Sequence, residues 1–583
     1  MNGFLRTSST FFKEVGGGIK QIKLLNLSSL RKVFSLLGKR EKQVIYVLLI
    51  VALVSLFWSI RNIYVAVTVP APAFGGIYTE GLIGQPTYLN PILAYEETDL
   101  SLNRLIYSSL YKYDREGNIL PDLTEAMPQI SENQKEYTIK LKEGVKWHND
   151  LPLTADDVVF TINLLKDPNF KSPLRNSWLS TNVEKIDAKT VKFITAEVSG
   201  PFIHNLTLPI LPEYIWSKVE AQNFLTSKFN LEAIGSGPYQ LKEIKKLASG
   251  KIYSITLESY SNYFLGKPSI DTLIFKFLDD DQELLKSLHS REIDGFSFTP
   301  LGSNIRLEKE QDRMRLLKLP LPQYQVVSFN LKNKHLRNGN LRKALAAATD
   351  RQQIINEAFY GNALMPTSPL VFASEGNAAG QAGGTDIKQA EKFLELADYN
   401  VNYESGFRTK DGIILELTIT TNDFPANIKS AEILAAQWRK LAIKVNLQIL
   451  PGKQLSEEAI KNRNFDVLLF PQKYGADPDP FFFWHSSQTS YPGLNLTGFE
   501  NETADRLITE GRTTTNLETR KQKYAEFEAL INRETPVIFL NQAVLLYAID
   551  NKIKNIGLGT LYDPSSRMLD FPNWYIMEKR VLK

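Results

Sequence analysis

Phe465-Asp-Val-Leu-Leu-Phe470, followed by Pro471-Gln-Lys-Tyr-Gly-Ala-Asp-Pro-Asp-Pro-Phe-Phe-Phe-Trp-His-Ser-Ser487, is the stretch on which the fold turns. Val467 to Phe470 form a short apolar run that fits a buried strand, and the run breaks at Pro471 into turn formers, aromatics and two carboxylates. In open α/β sheets ligands sit at the carboxyl ends of strands, so the segment after Phe470 is expected to be a binding loop. Pro478 and Pro480 hold the preceding Asp477 and Asp479 in extended conformations, which fixes both carboxylates on a stiff backbone. A proline-terminated surface turn whose aromatics return to the core is the alternative reading of the same residues.

Upstream, Leu415, Leu417 and Ile419 alternate with polar residues as a strand. A helical period follows over 428–441, with Ala431, Leu434, Ala435 and Trp438, and then Val445, Leu447 and Ile449 alternate again. This is a βαβ unit with parallel strands and a right-handed crossover, and 465–470 adds a strand beside it. Further helices are expected after Asp350 and Asp386. The Gly- and Ala-rich stretch 374–385 reads as a flexible surface loop.

At 583 residues the chain exceeds one ordinary core, so two or three domains are expected. Residues 1–43 hold nine Lys or Arg against two acids. The whole chain carries +4, so with +7 in this tail the remainder carries about −3 and offers nothing for nucleic acid. Val44 to Ile60 has no charged residue, and a second apolar run covers 63–69 beyond Arg61 and Asn62. The expected anchor is one transmembrane helix over 44–69. Lys39, Arg40 and Lys42 before it keep the tail in the cytoplasm and the body outside. A secretory signal peptide, with Ala71 and Ala73 near its cleavage site, competes with this reading but needs an unusually long basic region. Residues 70–76 read as a stiff linker. No cysteine is present, which excludes disulfides, thiolate metal sites and a cysteine nucleophile.

The ordered motifs Ile119-Leu-Pro-Asp-Leu123, Gly144-Val-Lys-Trp-His148, Leu153-Thr-Ala-Asp-Asp-Val-Val-Phe160, Gly235-Ser-Gly-Pro-Tyr239, Leu341 to Arg351, and Ala476-Asp-Pro-Asp-Pro480 with Trp484-His-Ser-Ser487 carry a family likeness. The chain from about 77 to 575 resembles the family 5 solute-binding proteins of peptide-type ABC importers. The resemblance implies an α/β fold, a two-lobed periplasmic-binding-protein-like clamp of the class II type with an extra subdomain. It implies lobe I at 77–320 including the subdomain 115–232, lobe II at 321–534, and a C-terminal return, 535–583, into lobe I. Hinges fall near 320 and 535, and Tyr88 to Thr98 faces the cleft from lobe I.

The resemblance also implies that Asp477 pairs with a ligand α-ammonium and that Tyr474 lines a side-chain pocket. A fixed carboxylate suits a cation leaving water, and the backbone of Tyr474, Gly475 and Ala476 suits pairing with an extended ligand as an added strand. Asp479, Trp484, His485 and Asn495 complete the expected cleft wall. A turn-capping role is the alternative for Asp477, and packing is the alternative for His485.

Enzyme chemistry finds little support. Ser486 and Ser487 are too close to His485 for a triad, no Gly-x-Ser-x-Gly elbow occurs, and Gly235-Ser-Gly-Pro lacks the Lys of a phosphate loop. The five histidines are scattered, and His148 reads as structural. No catalytic residue, metal or cofactor is expected. The expected role is a membrane-anchored monomer that captures oligopeptides and passes them to ABC permease subunits. Peptide sensing without transport, or a nickel chelate, haem or sugar as ligand, remain the alternatives.

Overall fold

The computed structural model describes residues 37–298, 312–366, 370, 385–559 and 561–583. The loop expected at 374–385 and most of the basic tail therefore lie outside the described residues, apart from Thr385 and 37–43. The described chain forms two units, one of 72–577 and one in which the N-terminal segment to Ala71 groups with Glu578–Lys583.

In the smaller unit, α1 (Lys39–Val67) is 29 residues long and carries no buried side chain. Its 18-residue core has a mean hydropathy of 2.4. At 1.5 Å per residue it is about 44 Å long, enough to cross a hydrocarbon core of about 30 Å. The helix stops two residues short of the apolar run, because Pro70 pushes the residue before it out of the helical region. Thr68–Ala73 is instead strand β1, paired with the last strand, Met577–Leu582. Residues 70–73 of the segment expected as a stiff linker thus lie in a strand. Arg580 secures the pairing by donating to the carbonyl of Val65 (3.0 Å) and to that of Thr68 (2.8 Å).

The body is organised by one mixed sheet. Its strands are β2 (Ile77–Ile83), β3 (Tyr239–Lys246), β4 (Ile252–Ser259), β5 (Thr272–Leu278), β6 (Gly295–Phe298), β7 (Met314–Phe329), β8 (Glu416–Asn422), β9 (Lys444–Leu450), β10 (Val467–Lys473) and β11 (Val537–Asp550). They lie in the order β9-β8-β10-β7-β11-β6-β2-β5-β4-β3. The expected βαβ unit is present: β8 and β9 are parallel, from Glu416 opposite Lys444 to Asn422 opposite Leu450, and helix Pro425–Arg439 joins them. Asp350 and Asp386 cap their helices as expected, their carboxylates accepting from the amides of Gln353 and Gln389 at 2.8 Å. Thr154 caps Ala155–Lys166, with its amide donating to Asp157 Oδ2 at 2.8 Å.

Strand β10 does not break at Pro471 but continues to Lys473, with Pro471 opposite Gln325 of β7. On its other side β10 meets β8 only over 467–469, so the missing N–H of Pro471 costs no ladder bond.

Of five apolar clusters among the described residues, the two largest mark the two ends of the body. One gathers residues from 78–277 with Leu319, Leu321 and 545–574 (lobe I), and the other gathers residues from 327–540 (lobe II). The long strands β7 and β11 run through both, and their pairing slips between Pro320 opposite Val544 and Tyr324 opposite Gln542. A second shift falls between Gln325 and Val326, and Val537 to Phe539 pair with β7 over Val326 to Ser328. Thr535 is the left-handed cap of helix Leu517–Glu534. Within the C-terminal segment, 578–583 group with the N-terminal unit.

The motif Gly235-Ser-Gly-Pro is a backbone contact. The Gly237 amide donates to Ile106 O (2.8 Å), and a Cβ on Gly235 would lie 1.9 Å from that same oxygen. Gly235→Ala is expected to destabilise lobe I by about 3 kcal/mol, the upper end of overpacking, since backbone atoms on both sides must move. Urea unfolding measures it, and a change below about 0.5 kcal/mol would show that the backbones separate freely.

His148 holds the same turn. Its Nδ1 accepts from the Gly235 amide (3.2 Å) and its Nε2 donates to Gly237 O (3.1 Å), which fixes the neutral tautomer. Burial pushes its pKa down to about 4. The unfolded chain takes up this proton near pH 6.5, so the folded state loses stability as pH falls from about 7 to 4. His148→Gln is expected to remove on the order of 2 kcal/mol of that fall between pH 7.5 and 4.5. Identical falls in both proteins would remove His148 as a titrating group.

Candidate functional site

The segment after β10 leaves the sheet where the two lobes meet. The Tyr474 amide still donates to Pro322 O in β7 (2.8 Å), so the departure is anchored at the slip between the lobes. The amides of Gly475 and Ala476 have no hydrogen-bond partner among the described residues, and a Cβ on Gly475 would meet nothing within 4 Å. These are the features strand addition needs.

Asp477 does not stand free. Arg520, from helix Leu517–Glu534, donates through Nη2 to Asp477 Oδ1 at 2.6 Å, with side chains only 8% and 12% exposed. The Arg520 guanidinium also lies over the Tyr524 ring (5.0 Å) and donates to its hydroxyl (3.2 Å). Asp477 raises the Arg520 pKa against the opposing effect of burial. The other oxygen, Asp477 Oδ2, is buried and takes no hydrogen bond. It faces His204 of lobe I, whose Nε2 is 4.0 Å away, beyond hydrogen-bond range. Burial lowers the His204 pKa, outweighing Asp477, so the ring is neutral. Its Nδ1 hydrogen-bonds the Tyr113 hydroxyl (2.8 Å), and Tyr113 packs on Tyr562 at 4.4 Å between centroids. The lobes also touch beside this point, through Gly200 N to Arg512 O (2.8 Å) and Thr515 Oγ1 to Gln134 Oε1 (2.8 Å).

Asp479 accepts from the Phe481 amide (3.1 Å) and lies 3.5 Å from Arg512, which stacks over Phe481 at 4.2 Å. Burial raises its pKa despite Arg512. The other expected wall residues have different surroundings. Tyr474 and Trp484 are 2% and 1% exposed, and the Trp484 indole donates to the Tyr474 hydroxyl (3.0 Å), so both pack in lobe II. Asn495 is fully buried: its amide donates to the carbonyls of Trp484, His485 and Phe499, and its oxygen accepts from Thr497 and Phe499. Every polar atom of Asn495 is committed to holding the loop. His485 Nδ1 accepts from the Ser487 amide (3.1 Å) in a partly exposed turn. In the segment 88–98, Leu89, Asn90 and Ile92 are fully buried, so the core takes most of the residues expected at the cleft.

His204, Tyr113, Arg512 and Arg520 had no local motif to betray them. One signal existed for Arg520. It shares a helical stripe with Tyr524, Phe527 and Ile531, and an arginine in an apolar stripe needs a buried partner. Among the described residues no group of three or more His, Asp or Glu side chains is arranged to hold a metal ion.

Residues 118–493 match the model of the bacterial extracellular solute-binding proteins, family 5 Middle. The oligopeptide-binding protein AppA of Bacillus subtilis (strain 168) is 27% identical over 553 residues, covering 92% of this chain and 99% of the relative. The solved structure of AppA in complex with a nonapeptide superposes with a TM-score of 0.63 at 25% identity, over 87% of this chain and all of that one. NikZ from Campylobacter jejuni, solved in complex with Ni(L-His), superposes with a TM-score of 0.66 at 25% identity, over 86% of this chain and 99% of its own. With the two-core clamp and the motif order, these matches make the chain a binding protein rather than an enzyme: it belongs to family 5 of the bacterial extracellular solute-binding proteins, which serve ABC transporters.

Proposed function

We propose that the protein is a membrane-anchored receptor on the outer face of the cell that binds oligopeptides between its lobes and passes them to an ABC importer. The observation that carries the reading is the free backbone at Gly475 and Ala476 beside the buried, unpartnered Asp477 Oδ2, all at the seam between the lobes. An extended peptide offers carbonyls to the first two and an N–H to the third. The relative named for oligopeptide binding spans nearly the whole chain and supports the same reading. Anchoring rests on α1, whose basic flank, Lys39, Arg40 and Lys42, keeps the tail inside. The receptor acts as a monomer.

Two outcomes test this. Peptide at about 100 times Kd is expected to stabilise the detergent-solubilised protein by about 2.7 kcal/mol and to compact it in solution scattering. A melting temperature unmoved by peptides would contradict the ligand class. Protease added to intact, wall-stripped cells is expected to digest the body and spare residues 1–43, and a protected body would reverse the topology.

A further inference from the structure

Three carboxylates near the seam between the lobes each have an arginine beside them. Asp477 is paired with Arg520, Asp479 lies against Arg512, and Asp563 is paired with Arg104 beside Tyr562 (2.7 Å). His204 of lobe I, 4.0 Å from Asp477 Oδ2, has its pKa lowered by burial and so does not supply a charge there. What stays open is hydrogen bonding: Asp477 Oδ2 and Arg520 Nε are both buried without a partner. Such atoms are costly to leave unmade, and a bound ligand is a natural source of their partners.

An acceptor of this kind takes any N–H, but the counter-ion decides which N–H it prefers. A lone buried carboxylate favours an ammonium, because the ligand's charge gains its partner as both leave water. Here Arg520 already fills that place at 2.6 Å from a side chain that is itself 8% exposed. An incoming ammonium would add a surplus positive charge next to a buried guanidinium. A neutral amide N–H would satisfy Oδ2 without that penalty.

We propose that Arg520 is a specificity-determining residue: by neutralising Asp477 it makes the site read an N–H rather than a positive charge, so that peptides with acylated N-termini bind as well as free ones. This inference rests on the peptide reading above. It assigns the ligand class as N-blocked peptides and inner segments of longer peptides, alongside peptides with free ends.

The test is a competition on the full-length protein in detergent micelles. A randomised nonapeptide mixture with free N-termini and the same mixture N-acetylated are offered at equal concentration, and the retained peptides are counted by mass spectrometry. The parent protein is expected to retain both forms within about threefold of each other. Arg520→Lys keeps the charge and is expected to behave alike. Arg520→Gln leaves Asp477 without a cation, and a preference of about thirtyfold for free peptides is expected to appear. A thirtyfold preference for free peptides in the parent would overturn the role of Arg520 while leaving peptide binding intact. So would an Arg520→Gln protein that folds, by its thermal melt, and shows the parent's ratio. Retention of neither mixture by the parent would overturn the peptide reading and this one with it. Where Arg520→Gln does not fold, the parent's own ratio decides.

Discussion

Arg567→Met is expected to destabilise the body by about 3 to 5 kcal/mol, the cost of leaving a buried ion without its partner. Arg567 and Glu80 are both fully buried. The guanidinium donates to Glu80 Oε1 through Nη2 and Nε (3.0 and 3.2 Å), and through Nη1 to Glu97 Oε1 (2.9 Å) and Pro564 O (2.5 Å). Glu80 Oε2 accepts from the hydroxyls of Tyr78 (2.5 Å) and Tyr547 (3.0 Å). Of these six bonds, the two from Arg567 to Glu80 and the one from Tyr547 to Glu80 tie β2 and β11 to the turn-rich segment that carries Arg567, and through it to the return of the chain into lobe I. Gly295 makes the room, since a Cβ there would lie 2.0 Å from the Tyr78 hydroxyl. Burial already raises the Glu80 pKa against the pull of Arg567, and removing that pull raises it further. Urea unfolding at pH 7 measures the effect. The double variant Glu80→Gln with Arg567→Met is expected to recover part of it, and a single-variant loss below about 1 kcal/mol would mean that the ion pair is solvated on demand.

Asp477→Asn is expected to cost about 3 kcal/mol of stability in the absence of any ligand. The sequence alone made Asp477 a partner waiting for a cation from outside. The structure supplies an internal one, Arg520, which the substitution would strand with its Nε already unpartnered. A solvated turn aspartate would instead change stability by less than about 1 kcal/mol. Adding Arg520→Gln to Asp477→Asn is expected to restore part of the loss, which a double-mutant cycle resolves. Additive losses would show that the pair is held apart in solution.

How far the sequence could be read follows from the range of each interaction. The βαβ unit at 415–450, the caps at Thr154, Asp350 and Asp386, and the apolar helix ending before Pro70 were legible because each depends on neighbours a few residues away. The slip in β7 sits at Pro320 to Tyr324, where prolines mark it locally. Its counterpart in β11, at Gln542 to Val544, carries no local mark, because nothing in 535–544 records which strand that segment faces. The loop at 474–485 shows the same limit at the site. Its prolines marked the loop, but of the aromatic residues read as cleft wall Tyr474 and Trp484 are buried and bond each other. Asn495 was expected in the cleft wall, and its side chain is a staple with five bonds. Arg520 and His204 lie 43 and about 270 residues from Asp477 in sequence and meet it only through tertiary packing.

The central claim is that the cleft holds peptides. The most direct measurement is mass spectrometry of small molecules released on denaturing the full-length protein after purification from membranes in mild detergent. Peptides of mixed sequence are the expected result, present at close to one per protein molecule and absent from protein unfolded and refolded before the measurement. A nickel chelate, a haem or a sugar in their place would keep the fold and the family and contradict the function.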